Sequence, residues 1–435
     1  MNKIAKNAIW IIGIRIIQAI IAMIINMLSA RYLGPSGFGL ITYASSLVAF
    51  VLPIMQLGIN NVLVQEFVNN PKEEGEILGT SITLSLVSSV FCIAGVSSFA
   101  FMANPNEPTT ICVCFLYSLA LIFQAFNYIE YWYQSKLMSK CSSIISLIAY
   151  VLVSTYKIYL LIECKSIYWF AISNVLDYLI ISLGGIALYF KLGGKKFVFS
   201  FDLGRGLLKK SKHYIVSSMM VTVFAQTDKI MLKMMVGDSA TGFYGAAVSC
   251  AGMTGFVFTA IIDSFRPSIF EGMKEGKNVF NKRLIILYSI IIYLSLAQSV
   301  VMTLCAKMII NVIYGVSYQQ ASSSLQIIVW YTTFSYIGSV RNIWILANNK
   351  QKYLWKINMS GAIANVILNA VLIPLIGING AAIASLFTQL FSNVIVGYII
   401  KPIRPNNSLM CESLKIKYLK ELLHKLHIAQ QIKKV

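Results

Sequence analysis

The chain has 435 residues, a mean hydropathy of +0.72 and only 12% charged residues. Soluble proteins carry about twice that charged fraction, so a soluble globular domain is excluded. The formal net charge of +20 would suit nucleic acid if it formed one solvated face, but the basic residues sort by membrane side instead, and no nucleic-acid partner is expected.

Apolar runs recur from end to end, each long enough to cross a hydrocarbon core of ~30 Å. They lack the short alternating pattern of barrel strands. The expected spans, in chain order, are 8–29, 39–59, 78–102, 110–133, 142–162, 167–190, 213–236, 242–265, 284–306, 322–346, 353–374 and 379–400. The fold class is therefore all-α, a polytopic membrane protein of about twelve transmembrane helices. The first span is longer than the apolar region of a signal peptide and carries Arg15, so it is read as retained.

Alternate loops and both termini hold 26 Lys and Arg, whereas the opposite loops hold three, Arg31, Lys165 and Lys307. The positive-inside rule then puts both termini in the cytoplasm and favours an even span count. The eight cysteines show no paired metal spacing, and no metal site is expected. The outer loops are short, the largest being about 307–321, which leaves little room for an outer-face catalytic domain.

The longest cytoplasmic connection, 191–212, separates an N-terminal six-helix lobe (1–190) from a C-terminal one (213–400). The tail, 401–435, is basic. Its Leu419, Leu422, Leu423 and Leu426 recur at helical spacing among lysines, which predicts an amphipathic helix on the anionic inner leaflet. The lobes resemble each other. Gly34-Pro35-Ser36-Gly37-Phe38-Gly39 turns from the first span to the second, and Gly237-Asp238-Ser239-Ala240-Thr241-Gly242-Phe243 turns from the seventh to the eighth. Six plus six in one orientation implies parallel repeats about an axis along the membrane normal.

Seven cations fall inside spans: Arg15, Lys157, Lys229, Lys233, Arg266, Arg341 and Lys356. Four carboxylates do so: Glu130, Asp177, Asp228 and Asp263. A charge at mid-membrane costs roughly 2.5–3.5 kcal/mol on insertion scales. The cationic excess points to a wet, positive cavity and an anionic cargo. Arg15, Arg266 and Arg341 lie toward the cytoplasmic side, where a guanidinium fork would suit a phosphate. Lys229 lies deeper, and Arg31 sits at the outer interface beside Tyr32. Asp263 and Arg266 are spaced to pair along one helix. Asp177 and Asp228 fit either charge pairing or proton or sodium coupling. Lys157 and Lys233 are expected to snorkel to the outer interface, and Lys356 and Glu130 to snorkel likewise. Tyr128, Tyr131, Trp132 and Tyr133 read as an interfacial aromatic belt. Pro53 and Pro267 are expected to kink their helices.

The 31–39 segment resembles the first hairpin of polysaccharide flippases in the multidrug/oligosaccharidyl-lipid/polysaccharide exporter superfamily. Gln226-Thr227-Asp228-Lys229-Ile230-Met231-Leu232 with Gly242-Phe243-Tyr244-Gly245-Ala246-Ala247 resembles that family's seventh-span signature, and 372–384 resembles its penultimate turn. The resemblance covers about residues 1–400 and stops before the tail. It implies two six-helix lobes in a V around a central cavity, alternating between inward- and outward-open states. It also implies a job: moving an undecaprenyl-pyrophosphate-linked oligosaccharide from the inner to the outer leaflet of the bacterial cytoplasmic membrane for O-antigen or capsule. The partners implied are the lipid-linked oligosaccharide, membrane lipids, and a polysaccharide polymerase with its chain-length regulator. The rivals are a drug or organic-cation exporter of the same superfamily and a membrane glycan polymerase or glycosyltransferase. Against the second, the chain shows no compact acidic cluster, and it shows no nucleotide-binding loop. No catalytic residue and no cofactor are expected, while proton or sodium coupling stays open.

Overall fold

The structure, a computed structural model, describes residues 3–415, 417 and 418, with side chains from Gly13 onward apart from Arg15 and Ile16. Among these residues every regular element is helical. In chain order they are α1 (Lys3–Met55), α2 (Leu63–Asn69), α3 (Glu74–Ala103), α4 (Pro108–Ser118), α5 (Ala120–Gln124), α6 (Tyr128–Ser135), α7 (Ser139–Ile162) and α8 (Ile167–Lys191). Then follow α9 (Phe201–Met235), α10 (Asp238–Gly252), α11 (Gly255–Glu275), α12 (Lys277–Ile313), α13 (Ala321–Ala347), α14 (Leu354–Leu390), α15 (Val396–Ile399) and α16 (Arg404–Ser413). A π-helical turn, Phe391–Ile395, joins α14 to α15.

Nine stretches of the described chain are long and apolar enough to cross a membrane. Two of them hold two expected spans each. α1 breaks at Gly34 (φ 68°), just before Pro35, which has no N–H to donate. α14 breaks at Ile376 and Gly377 (φ 57°). A residue with a side chain would lose about 1–2 kcal/mol at such a φ, which is why glycine marks both breaks. With α13, the expected tenth span, all twelve are met as helical segments. Pro53 and Pro267 were expected to kink their helices, yet the dihedral breaks lie elsewhere, at Gly34 and at Ile376–Gly377.

Close contacts divide the chain into two compact units, the first ending at Gly242 and the second beginning at Phe243. The division falls within α10, one long helix beyond the 191–212 connection, because α9 packs on α1 and α3 of the first unit. The two glycine turns meet inside that unit. A Cβ on Gly39 would stand 1.8 Å from the Asp238 carbonyl oxygen, and one on Gly242 would stand 2.0 Å from that of Pro35. Each glycine follows a positive-φ glycine, Gly34 or Gly237, by the same five residues. The contact is therefore reciprocal, as a pair of related repeats would make it.

The first unit has its core around Leu40, Tyr43, Leu47, Val96, Val113 and Ala171, with a second cluster toward the other end. There, Tyr128, Trp132 and Tyr133, read as part of an interfacial belt, are buried instead, with Tyr131 half-buried beside them. Tyr128 donates to the Gln56 carbonyl (2.7 Å), Trp132 Nε1 to Glu74 Oε2 (2.8 Å) and Tyr133 to the Gly185 carbonyl (2.9 Å). Each polar tip finds a partner on a neighbouring helix or on the turn that ends α1, which a belt position would have left to headgroups. The second unit's core runs through Phe258, Leu284, Tyr288, Ile291, Val340 and Ile345.

Lipid tails are as apolar as leucine, so helix association rests on close packing and interhelical hydrogen bonds of roughly 0.6 kcal/mol each. Small hydroxyl residues serve both. Ser85 donates to the Met55 carbonyl (3.0 Å) in the first unit, and Ser299 to the Val329 carbonyl (3.2 Å) in the second. α16 docks on the second unit through buried Asn406, Asn407 and Met410, so the tail's first turns belong to the bundle. Leu419, Leu422, Leu423 and Leu426 lie outside the described residues.

Candidate functional site

In the first unit, α1, α4, α7 and α8 line an open cavity of about 230 Å³. Lys157 of α7 lines it, expected instead to snorkel outward. Asn26 and Ser29 of α1, Tyr117 of α4, Tyr150 of α7 and Asn174 of α8 complete a polar wall. Asp177, one turn beyond Asn174, lies within electrostatic reach of Lys157, Tyr117 and Tyr150. Ser29 Oγ, Asn174 Nδ2 and Asp177 Oδ1 are buried without a hydrogen-bond partner in the protein. Each such group costs about 1–3 kcal/mol unless something satisfies it. A cavity of this size holds several waters. It falls below the ~300–1,000 Å³ of pockets for drug-sized ligands, so it suits protons, ions or water rather than a glycan.

Lys233, near the end of α9, is also buried rather than snorkelling. Its Nζ lies 2.5 Å from Glu107 Oε2 and 2.8 Å from Asp238 Oδ1. Thr110 donates to the same Glu107 oxygen (2.6 Å). The hydrogen bond from Lys233, then that from Thr110, holds the Glu107 carboxyl below its usual range. Span position alone marked Lys233 as peripheral because both partners lie outside the spans; Asp238, five residues on in the glycine turn, was the one local signal.

Lys229 donates to Gln226 Oε1 (3.0 Å) on its own helix, and Asp228 is buried beside it. In the second unit, Arg266 pairs with Asp263 at 3.0 Å along α11, both half-exposed, as their spacing predicts. Arg341 is 3% exposed. Its Nη1 donates to the Ser392 carbonyl (2.7 Å), its Nη2 is 3.4 Å from Asn342 Oδ1, and its Nε has no protein partner. Ser392 lies in the π-helical turn, whose geometry interrupts the α-helical ladder. Asn407 of α16 caps a second carbonyl there, Val394 (2.8 Å). Gly338 lets α13 approach, since a Cβ would stand 2.4 Å from Asn393 Oδ1. The guanidinium expected to capture a phosphate is thus also a tie between helices. Arg31 is exposed beside Tyr32, whose hydroxyl donates to the Lys165 carbonyl (3.0 Å). The Arg15 side chain lies outside the described residues.

The family of polysaccharide biosynthesis proteins matches residues 4–273. The chain belongs to that family. A capsular polysaccharide biosynthesis protein of Staphylococcus aureus, CapF, is 20% identical over 410 residues, covering 92% of this chain and 99% of its own length. Among solved structures, the lipid II flippase MurJ in an inward closed conformation aligns with a TM-score of 0.70 at 14% identity, covering 95% of this chain and 93% of that one. An inward-facing multidrug resistance MATE transporter aligns at 0.63 and 12% identity, covering 91% and 96%. Family and fold make this a multi-pass membrane protein of polysaccharide biosynthesis with the architecture of flippases and exporters of the multidrug/oligosaccharidyl-lipid/polysaccharide superfamily.

Proposed function

We propose that the chain is a flippase that carries an undecaprenyl-pyrophosphate-linked oligosaccharide from the inner to the outer leaflet of the bacterial cytoplasmic membrane, for capsule or O-antigen. The family match over 4–273 is the observation that carries this reading. The pyrophosphate is anionic and the glycan polar, so both need a hydrated, cationic path while the lipid tail stays in the bilayer. Alternating access between two lobes would supply the path, with both termini in the cytoplasm. Arg15, Arg31, Arg266, Arg341 and Lys229 are the proposed cargo contacts in one or another state of that cycle. The Lys157–Asp177 cavity is the proposed ion site, where a proton or sodium ion would exchange against the lysine ammonium. No covalent step is assigned, and a polymerase with its chain-length regulator would receive the product.

The likeness to a multidrug transporter supports a second reading, export of a drug or organic cation. The excess of intramembrane cations weighs against it. The test is complementation. Expressed in a host that lacks its own capsule or O-antigen flippase but makes the lipid-linked repeat, the chain should restore surface glycan. Normal membrane levels with no surface glycan, together with raised tolerance to cationic drugs, would replace the first reading by the second.

A further inference from the structure

A second cavity, of about 380 Å³, opens in the second unit where the start of α12, the end of α13 and α16 converge. Lys277 and Asn281 line it from α12, and Asn348 and Lys350 from the chain after α13. Trp344 stands behind them. No lining residue is acidic. Lys350 is held in place, its Nζ donating to the Pro402 carbonyl and lying 4.5 Å from the centre of the Trp344 ring. Lys277 opens α12 directly after Gly276 (φ 127°) and is exposed, so its ammonium can reach an incoming anion.

The depth of the cavity identifies the ligand class. Continuous apolar sequence in α12 begins near Leu284, so Asn281 and Lys277 stand three to seven residues before it. At 1.5 Å per residue they lie about 5–10 Å outside the hydrocarbon. The polar layer of one leaflet is about 5–7 Å deep, so Asn281 sits at the level of lipid phosphates and Lys277, on its flexible stem, reaches back to it from just outside. It is also the face on which the basic loops gather, where anionic headgroups are attracted by lysine. Two ammonium groups and two carboxamides offer donors to a phosphate, and Leu409 with the indole offers an apolar wall for the glycerol and first methylenes.

We propose that this cavity binds a phosphate monoester or diester at the headgroup level of the basic membrane face. The site is separate from the cavity holding Lys157, and its occupancy does not depend on which cargo the protein moves.

The test uses the full-length protein in a mild detergent, with native mass spectrometry counting retained phosphatidylglycerol across a titration. The wild type should hold one more phosphatidylglycerol than Lys277→Glu at matched concentration, with about tenfold weaker apparent binding in the variant, the scale of losing one charge-assisted hydrogen bond. Asn281→Leu, which keeps the charge, should weaken binding less, and Lys415→Ala, outside the cavity, should leave it unchanged. Displacement by millimolar glycerol 1-phosphate would assign the site to the phosphate group from either source; retention against it would assign the site to the lipid. Equal phosphatidylglycerol retention by the wild type, Lys277→Glu and Asn281→Leu would overturn the proposal.

Discussion

The two units handle a buried charge in opposite ways. In the second, Arg341 is committed to backbone, its guanidinium closing a carbonyl that the π-helical turn leaves open. In the first, Lys157 lines a cavity with Asp177 within its electrostatic reach, and Ser29, Asn174 and Asp177 each keep a buried polar atom without a protein hydrogen-bond partner. The physical cost of each is similar, since any charge taken from water needs compensation. What differs is the source of that compensation. Fixed dipoles lock a geometry in place, whereas water and a facing charge can be exchanged.

The sharpest way to break this contrast is Arg341→Ala. It strands the Ser392 carbonyl and opens a void, with an expected loss of about 3 kcal/mol, seen as a lower thermal midpoint of the purified protein. Glycan output per folded molecule should fall less than protein level if Arg341 is chiefly a tie, and should fall with normal stability if it is chiefly a cargo ligand. Lys233→Met should come next, at about 2 kcal/mol, because it leaves two carboxylates without their cation; Glu107 is half-exposed, so water screens part of that loss.

A smaller effect tests the same tie by pH. The folded Glu107 carboxyl titrates below its unfolded value of about 4.3, so its contribution is complete above that pH and is lost as pH falls through the lower folded value. Thermal unfolding of the wild type and Glu107→Gln should differ at pH 7 and converge as the pH is lowered through and below the usual carboxylate range. A difference that persists at low pH would sink the assignment. The smallest stability change is expected for the double replacement Lys157→Met with Asp177→Asn, within about 1 kcal/mol of neutral, since removing both members of a buried pair is often harmless. Transport should nevertheless drop at least about tenfold if the cavity couples an ion. Full glycan output from the double variant would place ion exchange elsewhere.

Much of the fold was legible in the chain because it depends on local properties. Span number followed from hydropathy, and both positive-φ breaks fell at glycines, Gly34 in a turn marked by its own residues and Gly377 in a segment marked by the family resemblance. The Asp263–Arg266 pair was legible for the same reason, its partners being one helical turn apart. The fates of Lys157, Lys233 and the Tyr128–Tyr133 cluster were not. Hydropathy gives a residue's depth in the membrane but not which side of its helix meets a neighbour. Glu107 lies 126 residues from Lys233, and nothing nearby in sequence announces the contact. Likewise, no composition signal marks the π-helical turn that claims Arg341.

By itself, then, the sequence determined that this protein is a many-span helical membrane protein, and it located the spans. Those outcomes come from backbone chemistry and from the cost of polar groups in lipid, which act residue by residue. Only the tertiary structure decided what each buried charge does. A charge in hydrocarbon takes its meaning from the nearest compensating group, and packing brings that group from a distant part of the chain. From sequence the seven intramembrane cations sorted only by depth, into a cytoplasmic-side arginine set, a deeper Lys229 and lysines expected to snorkel. Of the six whose side chains are described, Arg341 is a helix tie, Lys233 anchors a loop and a turn, Lys157 faces a polar cavity, Arg266 and Lys229 bond along their own helices, and Lys356 is exposed.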